Sequence, residues 1–267
     1  MGLRKHLSVH PVFFAQRDKN GVLQNISSPL TASDLKGVFE SYLHFEFDKP
    51  ADAKEIEKLR SLLMKTFESI ELAVEHWSTM RERATATAEN IRNIEKQQEN
   101  SNLQDYAEFS EWLNSGNFTF LGYCELLSGA DGKVKFDRKS VLGWLCSIEN
   151  IEQIFPVDEL ASKIREPSLL ITKADAHSPI HRASYMDLIA FPKFSEDGEC
   201  KGIRIFVGLF GSTVYNGSAE LIPVLRDKMK YVLVRSRFSS TTHSLRVLTN
   251  IMENYPRDMM FQVSKHD

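Results

Sequence analysis

An α+β protein is predicted, because the strand-like segments fall into two groups, each followed by helix, without the strand–helix alternation of a parallel sheet. Between the groups, residues 51–100 contain neither Gly nor Pro. Turn signals at Lys19-Asn20-Gly21 and Ser195-Glu196-Asp197-Gly198 punctuate the two strand regions.

The elements follow in order. Leu7 to Gln16 is apolar and β-branched enough for a strand, and Val22 to Ile26 returns from the turn as a short one. Ser27, Ser28, Pro29 and Ser33 mark a loop. From Tyr42 to Asp48 the chain alternates, with Leu43, Phe45 and Phe47 on one face and His44, Glu46 and Asp48 on the other, as in a half-buried strand. Over residues 51–100, Ile56, Leu59, Leu63, Ile70, Ala73, Trp77, Met80, Ala84, Ile91 and Ile94 occupy the a and d positions of one heptad frame. Thr66 and Thr87 are its misfits, and Pro50 suits the first turn. Two uses are open: an inter-domain spacer or oligomerisation helix, or a core-packing helix that breaks once near residue 80. The narrow seam favours helix–helix contact.

Polar residues from Gln97 to Asn102 mark a domain boundary. Beyond it, Tyr106, Phe109, Trp112 and Leu113 give a short amphipathic helix closed by Asn114-Ser115-Gly116. Phe118 to Leu127 reads as a strand with a turn at Ala130-Asp131-Gly132. Residues 138–165 are mixed, with a helix from Val157 to Ile164, and Ser168 to Thr172 is a short strand. Met186 to Phe194 and Ile203 to Phe210 form an antiparallel pair. Ser218 to Arg235 and Ser244 to Tyr255 are helices, the latter stopped by Pro256.

Composition narrows the function. The 267 residues carry 33 Lys+Arg against 36 Asp+Glu with no block of one sign, so no nucleic-acid partner and no anionic membrane surface is expected. No apolar run approaches the roughly 20 residues that cross a bilayer. The N-terminus has no clean signal-peptide core, and Cys124, Cys146 and Cys200 are unpaired in spacing, which suits a reducing, cytoplasmic setting. The sequons at Asn25, Asn117 and Asn216 matter only in a secreted chain.

No dinucleotide-binding G-x-G-x-x-G, P-loop or G-x-S-x-G motif is present, so no catalytic residue is assigned. His177 and His181 have metal-ligand spacing for a helix, but Pro179 between them breaks that geometry and no metal is assigned. Lys173, His177, His181 and Arg182 form a basic segment that suits either a carboxylate ligand or a solvated loop. His10 and His44 read as sheet residues.

Several segments together carry a resemblance. They are Glu40 to Asp48, Val74-Glu75-His76-Trp77 with Met80, Asn117 to Tyr123, Ser178 to Asp187, Gly208 to Asn216, Ile222 to Arg226 with Lys228, and Glu253 to Asp258 with Phe261-Gln262. In order and spacing the chain resembles the N-terminal region of the large bacterial NAD-dependent glutamate dehydrogenases. The resemblance implies a partial ACT-like domain over 1–50, the long helix over 51–100, a PAS-like domain over 101–238, and a C-terminal helix with the start of a linker over 239–267. The ACT-like unit, βαββαβ in the family, begins mid-domain, so its sheet reads as a truncated ferredoxin-like one. Ser239 to Ser244 departs from the family's His-Asp-Gly step, and the chain reads as an excised piece or a truncated product.

The implied role is a non-catalytic regulatory and assembly segment, its partners the remainder of the dehydrogenase and further copies of itself. It would hold no cofactor; NAD belongs to the family's catalytic half. An amino acid is the expected effector, with Arg182 binding its carboxylate and Lys173 assisting. The alternatives are a purely structural oligomerisation scaffold and a free-standing small-molecule sensor.

Overall fold

A computed structural model describes residues 5–9, 11–28, 37–47, 52–98, 101–129, 132–236 and 243–263. The chain divides into two compact units, Met1–Met64 and Lys65–Asp267.

In the first unit, β1 (Lys5–Val9) pairs with β5 (His44–Phe47), while β2 (Val12–Arg17) lies between β3 (Leu23–Ser27) and β4 (Val38–Ser41). The ladders Val9↔His44 and Val12↔Ser41 keep one register, and Tyr42 N–H donates to the Pro11 carbonyl between them at 3.0 Å. The strand expected from Tyr42 therefore begins only at His44, and its end at Asp48 lies outside the described residues, as does His10. Phe14 and Ala15 are buried at the centre of the sheet. Arg17 grips Glu40 with both arms of its guanidinium, at 2.6 and 2.7 Å.

Helix α1 (Ala53–Glu75) starts at Asp52, whose carboxylate accepts the Glu55 N–H at 2.8 Å. It gives way at His76 to α2 (Trp77–Gln98), with i→i−4 bonds on both sides of the joint: His76 N–H to Leu72 and Met80 N–H to His76. The helical run is thus interrupted once, at His76, four residues before the expected break near residue 80. At that joint the Gly143 N–H donates to His76 Nδ1 at 3.0 Å.

The second unit is built on a five-stranded antiparallel sheet in the order β7-β6-β10-β9-β8. The strands are β6 (Phe118–Ser128), β7 (Val134–Gly143), β8 (Leu170–His177), β9 (Tyr185–Phe194) and β10 (Cys200–Phe210). Alternate residues enter two cores. Phe206, Phe210, Ile189, Phe191 and Phe120 join Met80, Ala84, Ile91 and Ile94 of α2 and the buried face of α3 (Ser101–Trp112). Ile203, Ile205, Val207, Leu188 and Leu126 face Leu160 and Ile164 of α4 (Val157–Arg165) on the other side. Burial on both faces explains why these strands read as continuous apolar runs.

After β10 come the short α5 (Ser212–Asn216), α6 (Pro223–Arg235), α7 (His243–Asn254) and α8 (Arg257–Gln262). The α+β class holds. The sequence reading misses β7, ends β8 five residues early and overlooks α8, because Pro256 opens a helix as well as closing one.

Candidate functional site

Register brings the first two charges together. Lys173 on β8 lies opposite Asp187 on β9, and its Nζ sits 2.6 Å from Asp187 Oδ1. Asp187 is almost fully buried, with a side chain 3% exposed against 31% for Lys173. Its second oxygen accepts the Phe210 N–H at 3.1 Å, at the end of β10. The carbonyl of the same Phe210 accepts from Arg182 Nη2 at 3.1 Å. The Arg182 guanidinium then lies 5.7 Å from the centre of the Tyr215 ring on α5. Tyr215 donates its hydroxyl to Asp258 on α8 at 3.1 Å, and Asp258 returns to Lys173 at 3.3 Å.

The contacts close on themselves, from Lys173 through Asp187, Phe210, Arg182, Tyr215 and Asp258. Two cations face two carboxylates, so the ring is balanced in charge. Burial lifts the Asp187 carboxyl above the usual range in spite of Lys173 and the Phe210 N–H. Burial, with the charges of Asp187 and Asp258, also holds the Tyr215 hydroxyl well above its ordinary value, so it remains a donor.

A second set of bonds shares α8 with the first. Glu253 on α7 accepts from Ser218 Oγ at 2.6 Å, from the Ala219 N–H at 3.0 Å and from Arg257 Nη2 at 2.7 Å. Arg257 also donates to the Gly217 carbonyl at 3.0 Å. Burial raises the Glu253 carboxyl, but these donors outweigh it and leave it below the usual range. Phe261 of α8 stacks on Phe210 with centroids 4.7 Å apart, and Lys228 of α6 caps the end of α8 through the Met260, Phe261 and Val263 carbonyls.

Of the four basic residues singled out in the sequence, the structure joins Lys173 and Arg182 in one ring and leaves the histidines apart. His177 ends β8 with its ring 4.0 Å from that of Tyr185. His181 takes a left-handed backbone (φ 66°) and borders an apolar hollow with Val74, Trp77 and Phe120. Asp187, Tyr215 and Asp258 went unmarked as functional residues. Each nevertheless lies in one of the segments that carry the family resemblance, Ser178 to Asp187, Gly208 to Asn216 and Glu253 to Asp258. Among the described residues no group of three or more His, Cys, Asp or Glu is placed to hold a metal ion, and no helix is long and apolar enough to cross a membrane.

Comparison with known proteins adds the following. Residues 1–63 match the family model for the glutamate dehydrogenase ACT1 domain, and residues 222–267 match that for glutamate dehydrogenase helical motif 1. The chain is 30% identical over 280 residues to the NAD-specific glutamate dehydrogenase of Halomonas elongata, covering 98% of this chain and 17% of that protein. It is 30% identical over 273 residues to the NAD-specific glutamate dehydrogenase of Pseudomonas aeruginosa, covering 97% of this chain and again 17% of the relative.

Proposed function

We propose that this chain, which belongs to the NAD-specific glutamate dehydrogenase family as its N-terminal segment, regulates and assembles that enzyme and takes no part in its bond-making steps. The reaction proposed for the larger protein is the oxidative deamination of L-glutamate to 2-oxoglutarate and ammonia, with NAD held by its other parts, in the cytoplasm. We read residues 1–50 as a partial ACT-like domain, 51–100 as the connecting helix, 101–238 as PAS-like, and 239–267 as the helix leading to the next domain.

One observation carries the reading. The closed ring latches α8, inside the segment matched to helical motif 1, onto the sheet. Its outer link, Lys173–Asp258, joins side chains that are 31% and 41% exposed. Such a pair contributes about 1 kcal/mol at most and is easily outcompeted. A ligand that favours the open or the closed latch shifts the equilibrium by its difference in affinity for the two. An amino-acid effector at Lys173 and Arg182 acts by displacement: its carboxylate replaces that of Asp258 on Lys173 and frees α8.

The test is Asp258→Asn. Amide exchange over residues 257–262 rises by about three- to fivefold, while β9 and β10 keep their protection. In the complete dehydrogenase the same change alters the response to amino acids and leaves KM for glutamate unchanged. Faster exchange without any change in that response would leave the latch as scaffolding only and overturn the regulatory role.

A further inference from the structure

Two hollows adjoin beside α1 and α2 in the second unit. The larger, of about 590 Å³, has Ile70, Val74 and Trp77 on the helical side and Phe120, Leu121 and Ile180 on the other, with His181 at its border. The smaller, of about 350 Å³, lies where Arg81 meets the Asn114-Ser115-Gly116 turn. Trp77 and Phe120 border both, so the two form one trough. From Ile70 to Arg81 it follows the helices for about 16 Å. Its helical wall is poorly covered, with Trp77 51% and Val74 69% exposed. An apolar face of this kind marks a binding surface.

The charges decide what binds there. Arg81 is half-buried and forms no ion pair among the described residues. Asn114 fixes it, accepting from Nε at 2.8 Å through its side chain and from Nη2 at 3.2 Å through its carbonyl. The guanidinium carbon lies 4.9 Å from the centre of the Trp77 ring, so the cation stands at the end of the apolar wall. Both partners are neutral, and Nη1 serves neither oxygen of Asn114. No carboxylate borders either hollow. The acids nearest Asn114 and Arg81 along the chain are engaged elsewhere: Glu111 holds Arg92 at 2.5 and 2.6 Å, and Glu82 accepts from Ser78 at 3.5 Å. His181, the other titratable side chain at the border, is exposed. The trough thus offers one fixed cation at the end of an apolar channel, which suits an anionic head on an unbranched tail.

We propose that this trough binds a free, unbranched fatty carboxylate of medium length. The carboxylate accepts from Arg81 through Nη1, while both bonds to Asn114 stay in place. The tail lies along Trp77, Val74 and Ile70 against Phe120 and Leu121. A second copy of the helix would cover the same side chains, so ligand and self-association compete. Lys173 and Arg182 border neither hollow, and the site is separate from the latch.

Isothermal titration of the chain with octanoate tests the proposal. Octan-1-ol, octylamine and butanoate serve as the tail without charge, the tail with the opposite charge and the head on a short tail. Octanoate binds saturably, octan-1-ol and octylamine about tenfold more weakly, and butanoate about a hundredfold more weakly for its missing methylenes. Arg81→Met weakens octanoate by about tenfold and leaves octan-1-ol unchanged. Arg81→Lys keeps the charge without the fork that Asn114 holds, and stays within about threefold of the parent chain. Val74→Glu, at an exposed position, sets a carboxylate beside the tail and weakens octanoate by about tenfold. No saturable binding up to about 10 mM, octan-1-ol bound as tightly as octanoate, or octanoate indifferent to Arg81→Met or Val74→Glu overturns the assignment. Equal losses in Arg81→Met and Arg81→Lys would trace binding to the shape of the turn and overturn it as well. Each of these results leaves the Asp258→Asn test, and the regulatory reading, standing.

Discussion

Two buried carboxylates in this unit answer pH in opposite senses. Glu125 on β6 has a side chain only 9% exposed, is ion-paired to Lys193, accepts the Tyr123 hydroxyl at 2.6 Å and lies 3.9 Å from Arg204. Burial raises its carboxyl, but Lys193 and Tyr123 prevail and hold it below the usual range. A carboxylate lowered on folding stabilises fully above the usual carboxylate range and loses that contribution as pH falls through the lowered value. Asp187, raised by burial, contributes in the reverse direction: its share is complete below the unfolded value and is lost as pH rises through the folded one. Glu125→Gln is therefore expected to cost about 3 kcal/mol at neutral pH, where it strands Lys193 and Arg204, and to flatten the acid side of the stability curve. Urea unfolding at pH 7 and again below pH 4 checks both; an unchanged acid slope would show that Glu125 does not carry it. Lys173 and Arg182 stand out in the sequence because their charges are visible along the chain. Their acids are not, since Asp187 sits at the start of an apolar strand and meets Lys173 only through a β8 that runs past residue 172.

At the level of elements, β10 shows how tightly the ladder is drawn. Gly208 sits where the β10–β6 register shifts, and a Cβ placed there would lie 2.0 Å from the Thr119 carbonyl oxygen. That oxygen belongs to a paired strand and cannot step aside. Gly208→Ala is expected to destabilise by about 3 kcal/mol in denaturant unfolding. Gly211→Ala, whose nearest neighbour is at 3.4 Å, should stay within about 1 kcal/mol and serves as the control. Equal effects would mean that β10 relaxes away from β6. Strands with bare apolar runs, β9 and β10, were legible because length and turn residues bound them. Strand β7 was not: Asp137, Arg138 and Lys139 break its apolar pattern, and its half-buried residues resemble loop. The heptad seam was legible as helix but not in its use. Met80, Ala84, Ile91 and Ile94 are consumed by the sheet core, and the misfit Thr87 is buried with them, its hydroxyl turned back to the Arg83 carbonyl at 2.7 Å.

An apolar stripe that overlaps that seam only at Ile70 and Trp77 stands differently in the whole molecule. Within the second unit, Phe67, Ile70, Val74 and Trp77 recur at spacings of three and four along one stripe, with Val74 69% and Trp77 51% exposed. The same helix buries Ala73 and Ser69, the latter turning its hydroxyl to the Lys65 carbonyl at 2.8 Å, while the stripe stays largely exposed. A contiguous apolar stripe of this kind is what an association surface needs and what an isolated monomer avoids. The relatives this chain matches are far longer, and it spans only 17% of their length, so an interface to other parts of the larger protein is one occupant to weigh. The heptad spacing favours another helix of the same kind, and the expectation for this chain alone is self-association that grows with concentration. Sedimentation equilibrium measures it directly. Val74→Glu puts a charge at the centre of the stripe and should return the protein to monomer without changing its thermal midpoint, since Val74 is largely solvent-exposed. Association that survives Val74→Glu would move the contact to an edge of the first unit's small sheet, whose outer strand borders are unpaired among the described residues. A wild-type chain that stays strictly monomeric at high concentration would remove the assembly half of the proposed function and leave the latch to carry regulation alone.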